Sequence, residues 1–584
     1  MREIAPAVLF PRPPVLRFVP EDTTCCGRQP TVQKTRKKNV LTLTGPFVAH
    51  ETVTQCPDCL RAFSSEILPT LVPPRSNVGY DILVFVGRAM YQRHRTVQEV
   101  RTELVARNVR LCSSEIEYLG RKFITCLALA HSRVVPRIRH TMTMAGGYVL
   151  HLDATRDGGS PALMTGLDSL SQFVLASVKM PSEHADHIVP FLRQVQDDYG
   201  APLACVRDMG SGIGKAVVEV FPGTRDFICH FHFLRDIGKD YLEPAYARLR
   251  KGLRSHATST RLHALVREIR QRLAAQSDRC TTLARAIETS APPEDIELLP
   301  LAACYSLTLW ALHGKQCGDG YGFPFDRPLI DFSQRLLDLE ERMPQLLEAL
   351  LVDDESPQQQ PIFKLLTQAC FVAEDQEIRQ AMDELRLRCQ VFDRLRAAMR
   401  LAPAGGDKGL NDEGSDDMTS IRQGVKKFRL NLTENPQLAD DPLSQKMAAQ
   451  IDKYDDKLFA EPITVATPGG TVTVYPQRTN NILEQFFRGV KRGYRRRTGN
   501  NTMQRTLQAM LAATPLVKNL DNPASMDILL DGKANLEELF ADQKATRLTE
   551  FDGSNNNTDR ILPGFRAIMK LPTLPDQVIR SLAA

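Results

Sequence analysis

The feature that most constrains this chain is an aspartate, Asp208, at the end of a short apolar segment. Residues 204–207 are predicted to form a buried strand, and Asp208 follows them at a Gly-rich turn. A helix over about 215–220 and a second apolar strand come next, and this strand runs into a Cys-x-x-His pair, Cys229 and His232. In open α/β sheets, reactive groups collect at the carboxyl ends of strands. An aspartate there packs poorly but can hold a metal ion, which raises the question of which carboxylates join it.

A second predicted strand also ends on an aspartate. Residues 148–152 read as a strand, and Asp153 closes it. Segments 163–167 and 173–178 are two further strands in a meander, and 187–195 has the apolar spacing of an amphipathic helix. The resulting order of strands and helices is that of an RNase H-like fold, a mixed sheet with helices on both faces. The sequence therefore predicts an α/β core with two acidic strand ends.

A third acid, Glu484, lies near the start of a strongly basic predicted helix. At helical period, one stripe of this helix is apolar, with Leu483, Phe486, Phe487, Val490 and Tyr494. The cations form what we call the basic row, which consists of Arg488, Lys491, Arg492, Arg495, Arg496 and Arg497. In one interpretation Asn481 and Glu484 form a capping box and the cations are a solvated face. In the favoured one, Glu484 binds a metal ion and the basic row grips phosphates.

Three such carboxylates suit phosphodiester chemistry. Two Mg²⁺ (or Mn²⁺) ions roughly 3.5–4 Å apart activate an attacking water or hydroxyl and stabilise the leaving oxygen. Asp153 would bridge both ions, Asp208 would bind one and Glu484 the other, because hard cations prefer carboxylate oxygens. Two other acids fit less well: Asp157 lies in a Gly-rich turn, and Asp226 precedes its strand, at the opposite end.

Cysteines near the N-terminus suggest a second metal site. The Cys-x-x-Cys knuckle Cys56 and Cys59 follows the adjacent pair Cys25 and Cys26 by some thirty residues, with strand-like sequence between them. This pattern predicts a zinc ribbon over 21–72. Adjacent cysteines can chelate one ion only through a strained turn, so His50 could replace one of them. The alternative is that all four are ordinary thiols in a loop.

Residues 77–140 are predicted to be helical in three pieces. An apolar stripe at helical spacing marks 81–95, and capping boxes at Thr96–Glu99 and Ser114–Glu117 open a short and a longer helix. A short helix, a turn and a longer helix are typical of a helix-turn-helix reader of DNA. A helical linker between domains explains the same pattern.

A long helical block follows the core. Residues 241–465 are rich in Leu, Ala, Arg and Glu and poor in β-branched residues, which favours helices, with a Gly- and Asp-rich break at 401–420. The block contains the lone tryptophan, Trp310, which is expected to be a core residue, and a Gly- and aromatic-rich segment at 320–325.

These motifs together resemble a DDE transposase, most closely the bacterial relatives of Mutator-like and hAT elements. The resemblance covers roughly 25–520 and depends on the order Asp153, Asp208, Cys229-x-x-His232, Glu484. It implies an RNase H-like domain that cuts and rejoins transposon ends, with the long spacing before Glu484 matching enzymes that carry an all-α insertion. It also implies that Cys229 and His232 are structural or shape the site, and that Trp310 is the candidate for stacking on a flipped base.

The expected organisation follows from the motifs and from a length of 584 residues, too long for one core. We predict an α/β RNase H-like core interrupted by a large all-α insertion, preceded by zinc-ribbon-like and helix-turn-helix domains. The expected segments are a flexible tail (1–20), zinc ribbon (21–72), helix-turn-helix (77–140), first core part (146–240), insertion (241–465), last core part (466–520) and a C-terminal region without assigned role (521–584).

Composition narrows the setting. Thirteen cysteines without small-domain spacing suit a reducing cytosol, and no secretory signal or membrane-length apolar run is visible. The net charge of +5 is mild, but the basic residues cluster. The expected partners are double-stranded DNA, as transposon terminal inverted repeats and target, and further copies of the chain as a homodimer or higher oligomer on the bacterial nucleoid. A non-catalytic DNA-binding regulator and an RNase H-like nuclease are the alternatives.

Overall fold

The computed structural model describes residues 12–21, 24–351, 360–403, 418–500 and 502–543. They form two compact units. The first unit combines the chain up to Tyr148 with Asp153–Ala201 and the residues from Leu483 onward, and the second comprises Val149–Leu152 and Pro202–Ile482. These units do not follow the segment boundaries expected from sequence. Parts of five expected segments lie outside the described residues: 1–11 of the tail, 22–23 of the zinc ribbon, 352–359 and 404–417 of the insertion, 501 of the last core part and 544–584 of the C-terminal region.

The first unit opens with a four-stranded sheet of β1 (Val15–Phe18), β2 (Thr31–Thr42), β3 (Gly45–Gln55) and β4 (Ala62–Phe63). β3 lies in the middle, antiparallel to β2 and parallel to β1. One face of this sheet is buried, with Val40, Phe47 and Ala49 in its core. The prediction of a flexible tail over 1–20 is therefore wrong for 15–18, because hydrogen bonding to β3 makes them a strand.

Four helices follow: α1 (Leu68–Leu71), α2 (Tyr80–Gly87), α3 (Val97–Ala106) and α4 (Ser113–Met144), with a π-helical turn over Arg88–Gln92. The predicted capping box at Thr96 is confirmed. The Thr96 side chain accepts a hydrogen bond from the Glu99 N–H, and the Glu99 side chain accepts one from the Thr96 N–H. The predicted capping box at Ser114 is wrong. Cys112 precedes the helix and makes no side-chain cap.

Helix α4 runs past the expected boundary at 140 and through Pro136. A proline inside a helix removes one hydrogen bond. The helix continues because Val134, Ile138 and Met142, one turn apart, are all buried. Packing of this apolar stripe outweighs the local cost, which sequence propensity alone does not reveal.

The chain contains a mixed sheet together with helices, as predicted. The strands of this sheet are β5 (Val149–Thr155), β6 (Ala162–Asp168), β7 (Val174–Met180), β8 (Ala204–Arg207) and β9 (Arg225–Ile228), in the spatial order β7-β6-β5-β8-β9. β6 and β7 are antiparallel, whereas β5, β8 and β9 run parallel. The helices between these strands are α5 (Ala185–Tyr199) and α6 (Ser211–Val220).

The rest of the second unit is mainly helical, as the composition of 241–465 predicts. Its helices are α7 (His230–Ser255), α8 (Thr258–Leu273), α9 (Ser277–Thr289), α10 (Leu299–His313), α11 (Pro328–Glu341), α12 (Met343–Leu350), α13 (Pro361–Glu374), α14 (Gln376–Ala398), α15 (Met418–Glu434), α16 (Pro436–Ala439) and α17 (Pro442–Leu458). An antiparallel hairpin of β10 (Ile463–Thr467) and β11 (Gly470–Val474) follows. Two stretches of this block, 261–283 and 331–351, are each divided into two helices, by a 3₁₀ turn at 274–276 and at Arg342.

The last described helices are α18 (Asn481–Thr498), α19 (Gln504–Ala509), α20 (Pro523–Leu530) and α21 (Leu536–Ala541), with a 3₁₀ stretch over Thr514–Asp521. In the first unit, this end of the chain covers the edge strand β7. The Asn519 side chain accepts from the Val174 N–H at 2.8 Å and donates to the Val174 carbonyl at 2.9 Å. An edge strand otherwise offers unpaired backbone groups, so the 3₁₀ stretch that carries Asn519 has at least this structural role.

Candidate active site and metal centre

The parallel pairing of β5, β8 and β9 stops just before residues that the sequence singled out. β8 and β9 end there, whereas β5 continues to Thr155, so the prediction that this strand ends on Asp153 is wrong. The last register pairs are Leu152 with Arg207 and Arg207 with Ile228. Asp153, Asp208 and Cys229 are therefore the next residue along β5, β8 and β9. Parallel strands present such positions at the same end of a sheet.

Asp208 shapes the turn that follows β8. Its Oδ1 accepts from the Gly210 N–H at 3.0 Å, and a Cβ at Gly210 would lie 2.9 Å from that oxygen. The turn therefore favours glycine at this position. Burial raises the pKa of Asp208, and the hydrogen bond from Gly210 offsets part of that effect. A cation beside the carboxylate would favour its charged form, as a metal ligand requires.

Asp226 is occupied by structural ion pairs. Its two oxygens accept from Nε and Nη2 of the buried Arg207 at 2.7 and 2.8 Å, and Lys457 Nζ lies 2.6 Å from Oδ2. The sequence suggested a position for Asp226 before its strand, whereas Asp226 is the second residue of β9. It nevertheless lies near the amino end of the strand.

Asp157 is a turn residue with a second contact. Its N–H donates to Ser160 Oγ at 3.2 Å, and its Oδ2 accepts from the Met503 N–H at 2.6 Å. Both partners belong to the first unit. The hydrogen bond between Asp157 and Met503 holds the chain in place shortly after α18. Nothing in the sequence indicated this contact.

Asn480 is the functional candidate that sequence reasoning missed. It is fully buried, its Nδ2 donates to the Leu152 carbonyl at 2.8 Å, and its backbone N–H donates to Cys229 Sγ at 3.2 Å. His151 Nδ1 lies 3.0 Å from its Oδ1. Because an amide oxygen can only accept, this Nδ1 carries a proton. Asn480 directly precedes α18. Within the second unit, its hydrogen bonds therefore connect the start of this helix to Leu152 of β5 and to Cys229, the residue after β9.

Glu484 lies in the first turn of α18 and belongs, like Asp153, to the first unit. The helix N-terminus favours a negative charge at this position. Leu483 and Phe487 are buried, in agreement with the predicted apolar stripe. The helix begins at Asn481 itself, so the capping box proposed for Asn481 and Glu484 is wrong in register.

The basic row remains available for a ligand. Arg488, Arg492, Arg495 and Arg496 are exposed, and Lys491 and Arg497 are half-buried. Within the described part of the chain, none of the six forms a salt bridge. Ordinary surface cations often have acidic neighbours, so this run of positive charge favours an anionic partner.

Gly493 seats α18 in the first unit. It is buried, and a Cβ on it would collide with the His94 ring. Burial lowers the pKa of His94, and the charges of Arg497 and Arg496 lower it further. A neutral imidazole thus lies beneath the basic row.

Cys229 and His232 are both buried. Cys229 precedes α7, and its N–H donates to the Arg207 carbonyl at 2.7 Å. Burial lowers the pKa of His232 to about 3, with Arg235 adding to the effect. The hydrogen bond from Cys229 to Arg207 joins the ends of β8 and β9, and the role that the resemblance implies for Cys229 and His232 stays a prediction.

Trp310 is not a core residue. It lies on α10 with 39% of its surface exposed, and the Arg335 guanidinium sits 5.1 Å from its ring centroid. Arg335 also donates from Nη1 to the Trp310 carbonyl at 2.6 Å. The expectation that this ring is buried is wrong, because the apolar face of α10 that packs inward carries Cys304, Ala311 and Leu312 instead.

The cysteines at the N-terminus come together. Cys25, Cys26, Cys56 and Cys59, here called the cysteine cluster, have sulfur atoms that all lie within 4.8 Å of one another. Among the described residues this is the one group of three or more metal-ligand side chains at such distances, and it includes neither His50 nor a carboxylate. His50 instead lies in β3, opposite Lys37. The suggestion that it replaces a cysteine is wrong.

Two tight turns build the cysteine cluster. Cys25 and Arg28 exchange two backbone hydrogen bonds, and the residues between them, Cys26 and Gly27, have φ angles of 52° and 74°. Two central residues with positive φ are typical of a type I′ hairpin turn. The strained turn that adjacent cysteines require is therefore present. In the second turn, the Leu60 N–H donates to the Cys56 carbonyl at 3.1 Å.

The cysteine cluster fits a tetrahedral metal ion. Zinc with Zn–S bonds of about 2.3 Å separates its ligand sulfurs by about 3.8 Å. The sulfur of Cys25 lies 3.4 Å from that of Cys59 and 4.0 Å from that of Cys26. A backbone hydrogen bond from Arg61, followed by the neighbouring thiols, lowers the pKa of Cys59 to about 7. Four close thiols of this kind could hold a metal such as zinc.

No protein-family model matches this chain, and no curated protein matches it. In the described residues, no helix combines the length and the apolar character needed to cross a membrane. The case for a function consequently depends on the chain's own residues, their positions and their charges.

Proposed function

We propose that this chain is a metal-dependent DNA transposase with an RNase H-like catalytic core. The observation that carries the proposal is the register of β5 and β8, since Asp153 and Asp208 each follow the paired residues Leu152 and Arg207. The strand order β7-β6-β5-β8-β9, with one antiparallel pair and three parallel strands, supports the RNase H-like core. A sheet of this kind needs acidic strand ends to do phosphodiester chemistry.

The proposed roles follow from the chemistry of each group. A bound pair of Mg²⁺ or Mn²⁺ ions would supply a nucleophile at neutral pH and stabilise the leaving oxygen. Asp153 would bind both ions, Asp208 one and Glu484 the other. Asn480 would act as a positioning residue, because it holds the Leu152 carbonyl next to Asp153 and directly precedes α18. Water or a DNA 3′-hydroxyl would attack the phosphate directly.

The basic row is proposed to bind the phosphates on either side of the reacting bond. Six cations on one helix, without salt bridges in the described residues, can contact successive phosphates of a strand. The zinc-loaded cysteine cluster and helices α3 and α4 would recognise double-stranded DNA at transposon ends. Assembly as a homodimer or higher oligomer on nucleoid DNA belongs to the same proposal.

One observation favours a second candidate, a DNA-binding regulator without catalytic activity. The cysteine cluster has closely spaced ligand atoms, while among the described residues no carboxylate belongs to a comparable group. A chain of this kind would bind DNA through its N-terminal region and its basic row. It would neither cut nor join strands.

A cleavage assay separates the two candidates. The substrate is a linear DNA with the sequences that flank this chain's gene, supplied with Mg²⁺ or Mn²⁺. Asp208→Asn and Glu484→Gln should each lower cleavage and joining by at least about 1,000-fold, in line with losing a central catalytic group, and leave DNA binding intact. Asp186→Asn, at an 84% exposed side chain, is the matched control. Full activity in Asp208→Asn would remove the proposed mechanism, and inactivity of the unchanged protein would favour the regulator.

A further inference from the structure

A cavity in the helical part of the second unit has no role in the proposed function. Its volume is about 580 Å³. The walls come from α7, the start of α8 and the start of α11, together with the Gly- and aromatic-rich segment at 320–325. Small-molecule sites typically measure roughly 300–1,000 Å³, so the cavity can hold a ligand of the size of one nucleotide.

Part of the cavity lining is aromatic. Tyr246 and Phe323 have ring centroids 4.6 Å apart with planes tilted by 34°, and Phe332 lies behind them, almost fully buried. Leu253 and Leu329 complete the apolar lining. A flat aromatic ligand would gain both burial and ring contacts against such a wall.

The lining also contains cations. The Arg250 guanidinium lies 5.1 Å from the Tyr246 ring centroid, and Lys315 Nζ lies 5.5 Å from that of Phe332. Arg250, Arg254 and Lys315 line the cavity with a single carboxylate, Asp326. That carboxylate is already engaged, because it accepts from the N–H groups of Asp319 at 2.8 Å and Gly322 at 2.6 Å. Arg254 is exposed and forms no salt bridge in the described residues. The lining therefore has a surplus of positive charge with at least one cation free to bind an anion.

The start of α8 adds donors to the lining. Ser259 and Thr260 line the cavity, and no side chain caps this 16-residue helix. Lys315 Nζ donates to Ser259 Oγ at 2.9 Å, which holds the ammonium group next to the helix N-terminus. An ammonium, a guanidinium and free backbone N–H groups are together suited to a phosphate.

We propose that this cavity binds a nucleotide, with the base against Tyr246 and Phe323 and the phosphate at Arg254, Lys315 and the start of α8. The recognised chemistry is an aromatic heterocycle joined to a phosphate. A free nucleotide and the phosphorylated end of a DNA strand both have it. This site is separate from the acidic strand ends, and its existence does not depend on the transposase proposal.

Calorimetric titration of the full chain tests the proposal. The probes are AMP, adenosine, inorganic phosphate and a short 5′-phosphorylated single-stranded oligonucleotide. AMP should bind at least about tenfold more tightly than adenosine or phosphate, because only AMP uses both the aromatic rings and the cations of the cavity. The oligonucleotide can also bind the basic row, so only the part of its affinity that Arg254→Ala removes reports on the cavity. If that part exceeds the affinity for AMP, the site takes a strand end, and the reverse order assigns it to a free nucleotide.

Two variants and one control locate the binding. Arg254→Ala should weaken AMP binding by about tenfold or more, the usual loss for one charge-assisted hydrogen bond. Phe323→Leu should weaken AMP but not phosphate. Lys251→Ala removes an exposed cation from the same helix that does not line the cavity, and it should bind AMP like the unchanged protein. Absence of AMP binding, equal affinity for AMP and phosphate, or unaltered binding in Arg254→Ala would overturn the proposal.

Discussion

The cysteine cluster and the acidic strand ends are two candidate metal sites built in opposite ways. The sulfurs of Cys25 and Cys59 are 34 residues apart in sequence, and tight turns bring the four thiols together. At the sheet, Asn480 reaches a backbone carbonyl 328 residues away. The first site is a local structure, whereas the second depends on the fold of most of the chain.

The difference affects how the two sites respond to change. The cysteine cluster is made by two turns, so a bound metal ion should contribute much of the stability of this region. In such sites the free energy of metal binding adds directly to the free energy of folding. The carboxylate of Asp208 is held by the turn after β8, and its burial is a cost that a cation would relieve. Damage to the first should therefore appear as lost structure, and damage to the second as lost activity.

The largest structural effect is expected from Cys56→Ser. Cys56 is fully buried in the cysteine cluster. Loss of a group that only hydrogen-bonds a metal ligand costs about 10–100-fold in metal affinity, so loss of the ligand itself should weaken zinc binding by more than about 100-fold. Zinc content and the unfolding of the N-terminal sheet are the measurements. Cys112→Ser, at an exposed cysteine of the same unit, is the control. Equal zinc content in both variants would contradict a metal centre made of these four thiols.

A smaller loss of stability is expected from Gly493→Ala. The new methyl group would meet the His94 ring and should cost about 1–3 kcal/mol of the free energy of unfolding. Gly489→Ala on the same helix meets nothing within 4 Å and should be neutral or stabilising by up to about 1 kcal/mol. Thermal unfolding of both variants checks this. Equal stability of the two variants would contradict the close packing of Gly493 against the His94 ring.

The basic row should be visible in the salt dependence of DNA binding. Replacing Arg492 and Arg495 by glutamine should make the slope of log affinity against log salt less negative by about 0.9 for each lost phosphate contact. Arg270→Gln, an exposed arginine on α8, should leave the slope unchanged. A solvated face without DNA contacts would give the same slope in all of these proteins.

The smallest expected effect is on stability and concerns the metal-free protein. Because burial raises the pKa of Asp208, its ionised form destabilises the fold at neutral pH. Asp208→Asn should therefore raise the melting temperature at pH 7 without metal. The gain should shrink as the pH falls through the raised pKa of folded Asp208, and it should vanish below the ordinary carboxyl pKa, where Asp208 is protonated in both the folded and the unfolded chain. Asp186→Asn should show no such gain, and a lower melting temperature for Asp208→Asn at pH 7 would contradict the account.

Local patterns in the sequence predicted local structure well. The strand before Asp208, the capping box at Thr96 and the apolar stripe around Phe487 are all present, since each depends on residues within one or two turns. The adjacent cysteines also indicated a strained turn, and the φ angle of Cys26 agrees.

Features that depend on distant partners could not be predicted. Nothing local to Asn480 indicates contacts with Leu152 and Cys229, and a proline at 136 argues against the long helix that packing maintains. Trp310 is exposed although its residue type favours burial, because its neighbours on α10 fill the core instead. In each case tertiary packing determines the local structure, and it cannot be predicted from the composition of the segment.

The central claim is that Asp153, Asp208 and Glu484 share bound metal ions, and iron-directed cleavage of the polypeptide tests it most directly. The zinc-loaded protein is treated with Fe²⁺ in place of Mg²⁺, followed by hydrogen peroxide and ascorbate. Bound Fe²⁺ reduces the peroxide to hydroxide and a hydroxyl radical, ascorbate returns the Fe³⁺ to Fe²⁺, and the radicals cut the backbone beside the iron. The account predicts cuts near all three residues, each suppressed by excess Mg²⁺ and by Asp208→Asn. Cuts beside Asp153 and Asp208 but none in α18, or no specific cuts at all, would contradict it.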